Sequence, residues 1–520
     1  MSMLRPGLSA ETLDSIGTPN SLPSRIGPLE FDDGAPSAAT ADLVYDNWDF
    51  VNGVKAFVDG YAGASLVALR DGFHSVGVED NDILLFSELM DSASVFLTAN
   101  TDTIYALGFV DLTHGPVVVD VPAIAAPSGF LGTVDDMWFR WVTDMGLPGP
   151  DRGTGGRYLI VGPGYDGPLP EGGFYVSQCR TTRAILLLRA FMIDNDPAVA
   201  LDAIRGGLRI SQYAPGGAGT SVASFLAGEA PLAAPQSPGE TRFVEGSHVA
   251  FNTVPQNDWS FWEKLHRLIQ EEPVGSGDPE LLGMLAEVGI SKGRDFAPDE
   301  RMRRVLQDAL VVGNATARTI SFAPRDEEGF AYYPESQWMN MLFVGGYEFL
   351  APPPQITPDG VMPEEGDGAR KINSRIAFLY PYTGITPAMC MRLTGIGSQY
   401  LIAMRDADGA FLDGARSYEI TLPAGIPQSR FWSVILYDRQ TRSMLQTDQP
   451  KPSFGSQSGT VKTNDDGTTT IHIGPTAPAG AESNWLQSIP GKGHFVTLRF
   501  YNPLQSFFDK SWRPSEIQPV

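Results

Sequence analysis

The stretch from Val95 to Asp144 constrains the fold more than any other part of the sequence, because most of it is written in strand language. Ile104, Ala106, Gly108 and Val110 fall on one face of an alternating segment, and Thr103, Tyr105, Leu107 and Phe109 on the other. Asp111 to Pro116 supplies turn residues, and the β-branched run Val117–Val121 reads as the return strand. The next predicted strand, Gly132 to Thr143, is unusual. Met137, Phe139 and Trp141 fall on one side, while Asp136, Trp138, Arg140 and Asp144 fall on the other. Tryptophan is costly to leave in water, and arginine beside aspartate points to a charge pair. Two readings compete. In one, the face is a polar cleft in which Trp138 stacks on a ring or chain and Arg140 grips an anion. In the other, it is an inter-sheet or inter-subunit contact, with Arg140 paired to Asp136 or Asp144. The short polar side chains of Thr98–Thr103 suit a hydrogen-bonded turn. As a cluster, Asn100, Asp102 and Tyr105 form the best polar constellation nearby.

Composition narrows the class. Charged residues make up 19% and hydrophobic residues 42%, as in soluble globular proteins, and 520 residues suffice for two or three domains. The 56 glycines and 41 prolines favour many turns and a strand-rich fold. A formal charge of −24 argues against nucleic acid and anionic lipid as partners. Two cysteines, Cys179 and Cys390, exclude a disulfide framework. The first residues lack an apolar core of signal-peptide length, and no run of about 18 apolar residues occurs. The expectation is a cytoplasmic protein that spans no membrane.

Residues 1–41 are rich in Ser, Pro and Gly and suggest a mobile arm or one that wraps a neighbour. Val51, Val54, Val58 and Tyr61 recur at helical spacing within Asp42–Phe73. Strands dominate from Val95 to about Leu188, with Phe174–Ser177 and Ala184–Phe191 read as buried. Gly162–Gly167 matches GxGxxG, but Pro163, Pro168 and Pro170 forbid the helix that a nucleotide loop needs, so it reads as a turn. Helices are expected at Pro197–Leu208 (Val199, Leu201 and Ile204 inward), Asp258–Glu271, Pro279–Val288 and Pro298–Asn314. Ala214–Gly239 reads as an exposed loop and Pro353–Gly368 as a linker or long loop. From Asn373 the strand pattern returns, clearest in Tyr418–Leu422 and Arg430–Tyr437. The predicted fold class is mainly β with helical insertions (α+β): two antiparallel β-sandwich or jelly-roll-like domains joined by a helical segment. The expected divisions are 1–41, 42–215, 216–372 and 373–520.

Zinc-protease, nucleophile-elbow, phosphate-loop and EF-hand motifs are absent. No two of the six histidines share a helix or strand face at ligand spacing, so no metal site is assigned, and no cofactor is named. Arg430 and Trp432 share a strand face and echo Trp138 and Arg140. They read either as a second wall of the same cleft or as a sandwich edge with the arginine stem over an indole.

Four segments, TANTDTIYALGFVDL, GPVVVDVP, VDDMWFRWVTDMG and GGRYLIVGPGYDG, carry a resemblance, as do SYEITLPAGIPQSRFWSVILYD and LRFYNPLQSFFDKSWRPSEI further on. Together they resemble a bacterial family built from two domains of unknown function, 1254 at the N-terminal side and 1214 at the C-terminal side, over roughly Asp42 to Val520. The resemblance implies β-sandwich domains with helical insertions and assembly as homo-oligomers. It implies no activity.

Two functions are therefore expected in competition. One is a cofactor-independent hydrolase or lyase acting on a small polar or anionic metabolite between the two β domains. There Tyr105 and Trp138 are walls, Arg140 holds the anion, Asp102 or Asp136 is the general base, and Asn100 orients water. Arg430 and Trp432 extend the binding surface. The other is a non-catalytic ligand-binding or scaffold protein, holding a sugar-like molecule or another copy of itself.

Overall fold

The computed structural model describes residues 9–215, 222–228, 239–357 and 360–520. Helix and strand each take 27%, in an α+β fold with several antiparallel sheets. Ile104–Asp111 lies inside a six-stranded sheet, ordered Phe243–Glu245, Ile83–Phe86, Ile104–Asp111, Arg183–Ala190, Phe130–Asp136, Trp141–Gly146. Val117–Val121 does not return alongside it. It crosses to a four-stranded sheet, between Gly156–Val161 and Arg209–Gln212. The physical reason is burial: Ile104, Ala106, Val110, Leu186 and Leu188 close a core with Val119, Tyr158, Ile160 and Ile210 of the second sheet.

The other face of the six-stranded sheet, with Leu84, Phe86, Leu107, Phe109 and Ile185, is covered by helices. The 38-residue helix Ala38–Ser75 starts at Ser37, whose side chain accepts from the Thr40 amide. Ser260–Glu271, Pro279–Glu287 and Glu300–Phe322 pack on it. Phe261, Leu265, Leu268 and Ile269 form the buried stripe that their spacing predicts. Gly63 does not break the long helix. It lets two side chains approach, since a Cβ there would stand 2.5 Å from Leu268 Cδ2 and 2.7 Å from the Trp138 ring. Gly63→Val is expected to destabilise the protein by about 2–3 kcal/mol through overpacking. A urea midpoint equal to wild type would show that Leu268 and Trp138 yield freely.

Further on, a five-stranded sheet runs Trp338–Met339, Ser398–Ala403, His494–Pro503, Gln428–Asp438, Ser453–Gly455. A four-stranded sheet runs Trp485–Gln487, Thr469–Gly474, Tyr418–Leu422, Gln518–Pro519. Tyr418, Ile420 and Leu422 close a core with Val434, Leu436, Leu498 and Phe500. No helix among the described residues is long and apolar enough to cross a membrane.

Several local expectations need correction. Where composition suggested an arm, Ser21–Ser24 pairs with Gly27–Asp32, and the Glu30 amide donates to Thr40 Oγ1 at 2.8 Å. Gly132–Thr143 is not one strand. Phe130–Asp136 and Trp141–Gly146 form a hairpin whose loop is Met137-Trp138-Phe139-Arg140, with Phe139 at φ 53°. Trp138 and Arg140 therefore sit on a turn and share no strand face. Tyr175–Gln178 is an exposed edge strand, because only one neighbour pairs with it. In the helix Ala198–Gly207, Ala200 and Ile204 face inward while Val199 is exposed. Asn373 belongs to a helix, Ile372–Leu379, and the strands resume at Ser398. The expected loop at 214–239 falls largely outside the described residues; Val222–Leu226 within it is a short helix.

Candidate functional site

Strand alternation, which fills the cores, also decides what the two larger sheets present to each other. In Arg183–Ala190, Leu186, Leu188 and Ala190 enter the core, so Arg189 emerges on the opposite face. There it stands directly across from Tyr105 on one neighbouring strand and Leu131 on the other. In His494–Pro503, Val496, Leu498 and Phe500 enter their core, so Arg499 and Tyr501 face away from it. Arg499 is directly opposite Tyr400 and Ser433. Each sheet thus offers one arginine–tyrosine pair from an inner strand. Arg189, Tyr105, Arg499 and Tyr400 line one cavity of about 110 Å³, together with Asn100, Asp144 and Thr386.

The Thr98–Thr103 loop ties the two halves. Arg499 Nη2 donates to the Thr98 carbonyl at 2.9 Å and to Tyr437 Oη at 2.6 Å. Tyr437 in turn donates to the Ala99 carbonyl at 2.6 Å. Asn100 Oδ1 accepts from the Asp102 amide at 2.9 Å and from Thr103 Oγ1 at 3.2 Å. That orientation turns Nδ2 toward Tyr105 Oη at 2.7 Å. Tyr400 Oη and Ser398 Oγ share a hydrogen bond of 2.6 Å. Arg499 is fully enclosed, and its Nε finds no acceptor.

The electrostatics are lopsided. Among the described residues neither Arg189 nor Arg499 forms an ion pair, although buried guanidinium groups usually sit against a carboxylate. Asp102 lies close enough to feel both Arg499 and Arg189, but burial still raises its pKa, against the lowering effects of Arg499, Ser433, Tyr501 and Arg189. Asp144 also lines the cavity. Burial pushes its pKa up to about 6, opposed in part by the Thr386 hydroxyl, which donates to Oδ1. Asp135, on the neighbouring strand, is raised well above the carboxylate range by burial, its Oδ2 accepting from the Ile385 amide at 2.9 Å. Chemically, such a cavity can hold an anion and can exchange a proton.

Of the residues that sequence reasoning selected, Asn100 and Tyr105 line this cavity. Asp102 does not. Its Oδ2 accepts from Ser433 Oγ at 2.7 Å and Tyr501 Oη at 2.9 Å, which makes it a tie between the sheets. It borders a separate hollow of about 400 Å³ with Trp432. Asp136 is engaged as well. It accepts from the Trp138 amide at 2.8 Å, the Arg140 amide at 3.0 Å and Arg140 Nε at 2.6 Å. Burial raises the Asp136 pKa against the pull of Arg140 and the two amides, but three donors, one of them cationic, already occupy its oxygens. Trp138 and Arg140 do border one hollow, of about 620 Å³, but Arg140 is held by Asp136 and the Ser276 carbonyl. Arg430 donates to the Pro127 carbonyl and lies 4.0 Å over the Phe191 ring. It sits within a register shift between Gln428 and Phe431, which takes it out of step with Trp432. The two aromatic–arginine pairs therefore share no cleft.

Arg189, Arg499, Tyr400 and Thr386 were missed, and Asp144 was read only as a partner for Arg140. A signal existed. Leu188-Arg189-Ala190-Phe191 and Leu498-Arg499-Phe500-Tyr501 each place an arginine inside an otherwise apolar strand. Among the described residues no group of His, Cys, Asp and Glu is arranged to hold a metal ion.

Fold and cavity define a two-domain α+β protein with a small, mostly apolar cavity that carries a few polar and charged groups and is walled by both domains. Residues 81–212 match the protein of unknown function family DUF1254, and residues 397–505 match DUF1214. The chain thus matches both of the domain families that the resemblance implied, one in each half of the sequence. Asn100, Tyr105, Asp144 and Arg189 fall in the first matched span, and Tyr400 and Arg499 in the second. Among solved structures, it is similar to the VPA0106 protein from Vibrio parahaemolyticus at 18% identity and a TM-score of 0.50, covering 91% of this chain and 100% of that one. An uncharacterized protein from Burkholderia cenocepacia aligns at 13% identity and a TM-score of 0.37, covering 91% and 96%. The first likeness concerns the fold alone. No curated protein matches the chain.

Proposed function

We propose that this chain is an enzyme of the hydrolase or lyase kind that takes a small organic anion in the cavity between its two domains. The observation that carries this reading is the pair of guanidinium groups, Arg189 and Arg499, brought to one cavity from opposite sheets without a carboxylate counter-ion in direct contact among the described residues, since Asp102, whose charge acts on both, is engaged by Ser433 and Tyr501. A ligand carboxylate supplies that counter-ion, through charge-assisted hydrogen bonds worth about 1.5–3 kcal/mol each. Asn100 and Tyr105 add neutral polar groups, and Asp144 adds a carboxyl able to exchange a proton near neutral pH.

Calorimetric titration with propionate and isobutyrate tests the reading. Wild type is expected to bind both, and Arg499→Met to bind either at least about 10-fold more weakly. Failure of both acids to bind wild type, or equal affinity in the variant, removes the reading.

A further inference from the structure

We propose that the ligand of the interdomain cavity is a short 2-oxo acid, its carboxylate held by Arg189 and Arg499 and its keto oxygen facing the Asp144 carboxyl group. This rests on the anion-binding reading and adds the identity of the far end of the ligand.

Size comes first. A cavity of about 110 Å³ is smaller than the roughly 150 Å³ void that accommodates benzene, so the ligand has on the order of six non-hydrogen atoms or fewer. Charge comes next. One end of such a ligand must be anionic to meet the two guanidinium groups. The other end meets Asp144, which is 6% exposed, forms no ion pair among the described residues, and has Thr386 Oγ1 donating to Oδ1. A second carboxylate there would face Asp144 and Asp135 together, so a dicarboxylate does not fit. An alkyl end would offer the acid's proton no acceptor on the ligand's side. A carbonyl oxygen satisfies it.

The other groups facing Asp144 are known. Asp135 and Thr133 stand on the paired strand, Trp141 on its own strand, Thr386 and Cys390 at the Pro387–Cys390 turn of helix, and Tyr347 beyond. None of them carries positive charge. Burial accordingly keeps Asp144 protonated to about pH 6, which makes it a donor below that pH and an acceptor above it.

Pyruvate and isobutyrate test this directly. They have nearly the same shape, with a keto oxygen in one where the other has a methyl group. In wild type, calorimetry should give pyruvate about 10-fold tighter than isobutyrate at pH 5.5, and the advantage should shrink at least about 5-fold by pH 8. Asp144→Asn, whose amide donates at every pH, should keep the advantage and lose its pH dependence. Thr386→Val removes a group that favours the ionised acid. It should move the midpoint of the pH dependence upward without altering Asp144 itself, which serves if the asparagine variant folds poorly. Binding of isobutyrate with no preference for pyruvate at pH 5.5, or a preference that is flat with pH in wild type, overturns the 2-oxo acid assignment and leaves the anion site standing. Failure of both acids to bind overturns the two together.

Discussion

Arg189→Met should lose at least about 10-fold in isobutyrate affinity while melting, without ligand, at the wild-type temperature or above it. Both halves follow from the same geometry. Arg189 holds charge in a mostly enclosed site with no carboxylate in direct contact among the described residues, Asp102 acting on it only at longer range, which is a cost to folding. Methionine keeps most of the packing volume and removes the charge. Its loss orphans little, because Tyr400 retains Ser398 and Tyr105 retains Asn100. Arg499→Met behaves differently. Its Nη2 bonds to the Thr98 carbonyl and to Tyr437 help fix the loop that joins the domains, so the variant should melt below wild type. A scanning calorimeter reads the contrast. If Arg189→Met melted several degrees below wild type, the guanidinium would be a part of the fold and not a group held ready for a ligand.

The second large effect is on pH. The folded-state pKa of Asp144 is about 6, against 3.8 for an unperturbed aspartate. Between these values the folded chain holds a proton that the unfolded chain has released. Stability contributed by this group is therefore present below pH 4 and is lost as pH rises through 6. At 1.36 kcal/mol per unit, the span corresponds to about 3 kcal/mol. Asp135, also raised by burial, acts in the same sense, while Asp80, held low by Arg70 and Arg183 in spite of its burial, acts in the opposite one. The measurement is therefore the difference between wild type and Asp144→Asn in urea denaturation at pH 4.5 and 7.5. The variant should be the more stable of the two at pH 7.5, with the gap mostly closed at pH 4.5. A gap independent of pH would place Asp144 among ordinary carboxylates.

Periodicity exposed much of the architecture, because it is local. Alternation in Ile104–Asp111 and Tyr418–Leu422, and the helical spacing of Phe261, Leu265 and Leu268, each report burial of one face of one element. The same reasoning failed where a turn interrupts a strand. Asp136 to Trp141 keeps a strand-like alternation of residue types, yet Phe139 takes a positive φ and the chain reverses there. Asn100 and Tyr105 were legible as cavity residues because they belong to the loop and strand that reach the interface. The role of Asp102 as a tie between the sheets was not, since its two donors, Ser433 and Tyr501, lie more than three hundred residues along the chain.

By itself, then, the sequence determined the family pair, the α+β class, the acidic character and most of the individual strands and helices, all of which follow from composition and short-range pattern. Tertiary structure alone decided the site. Arg189 and Arg499 are 310 positions apart, and each looks like a lone charge in an apolar strand until two sheets meet with those faces inward. Side-chain direction is set by the period of a strand, but what a side chain points at is set by packing between distant parts of the chain.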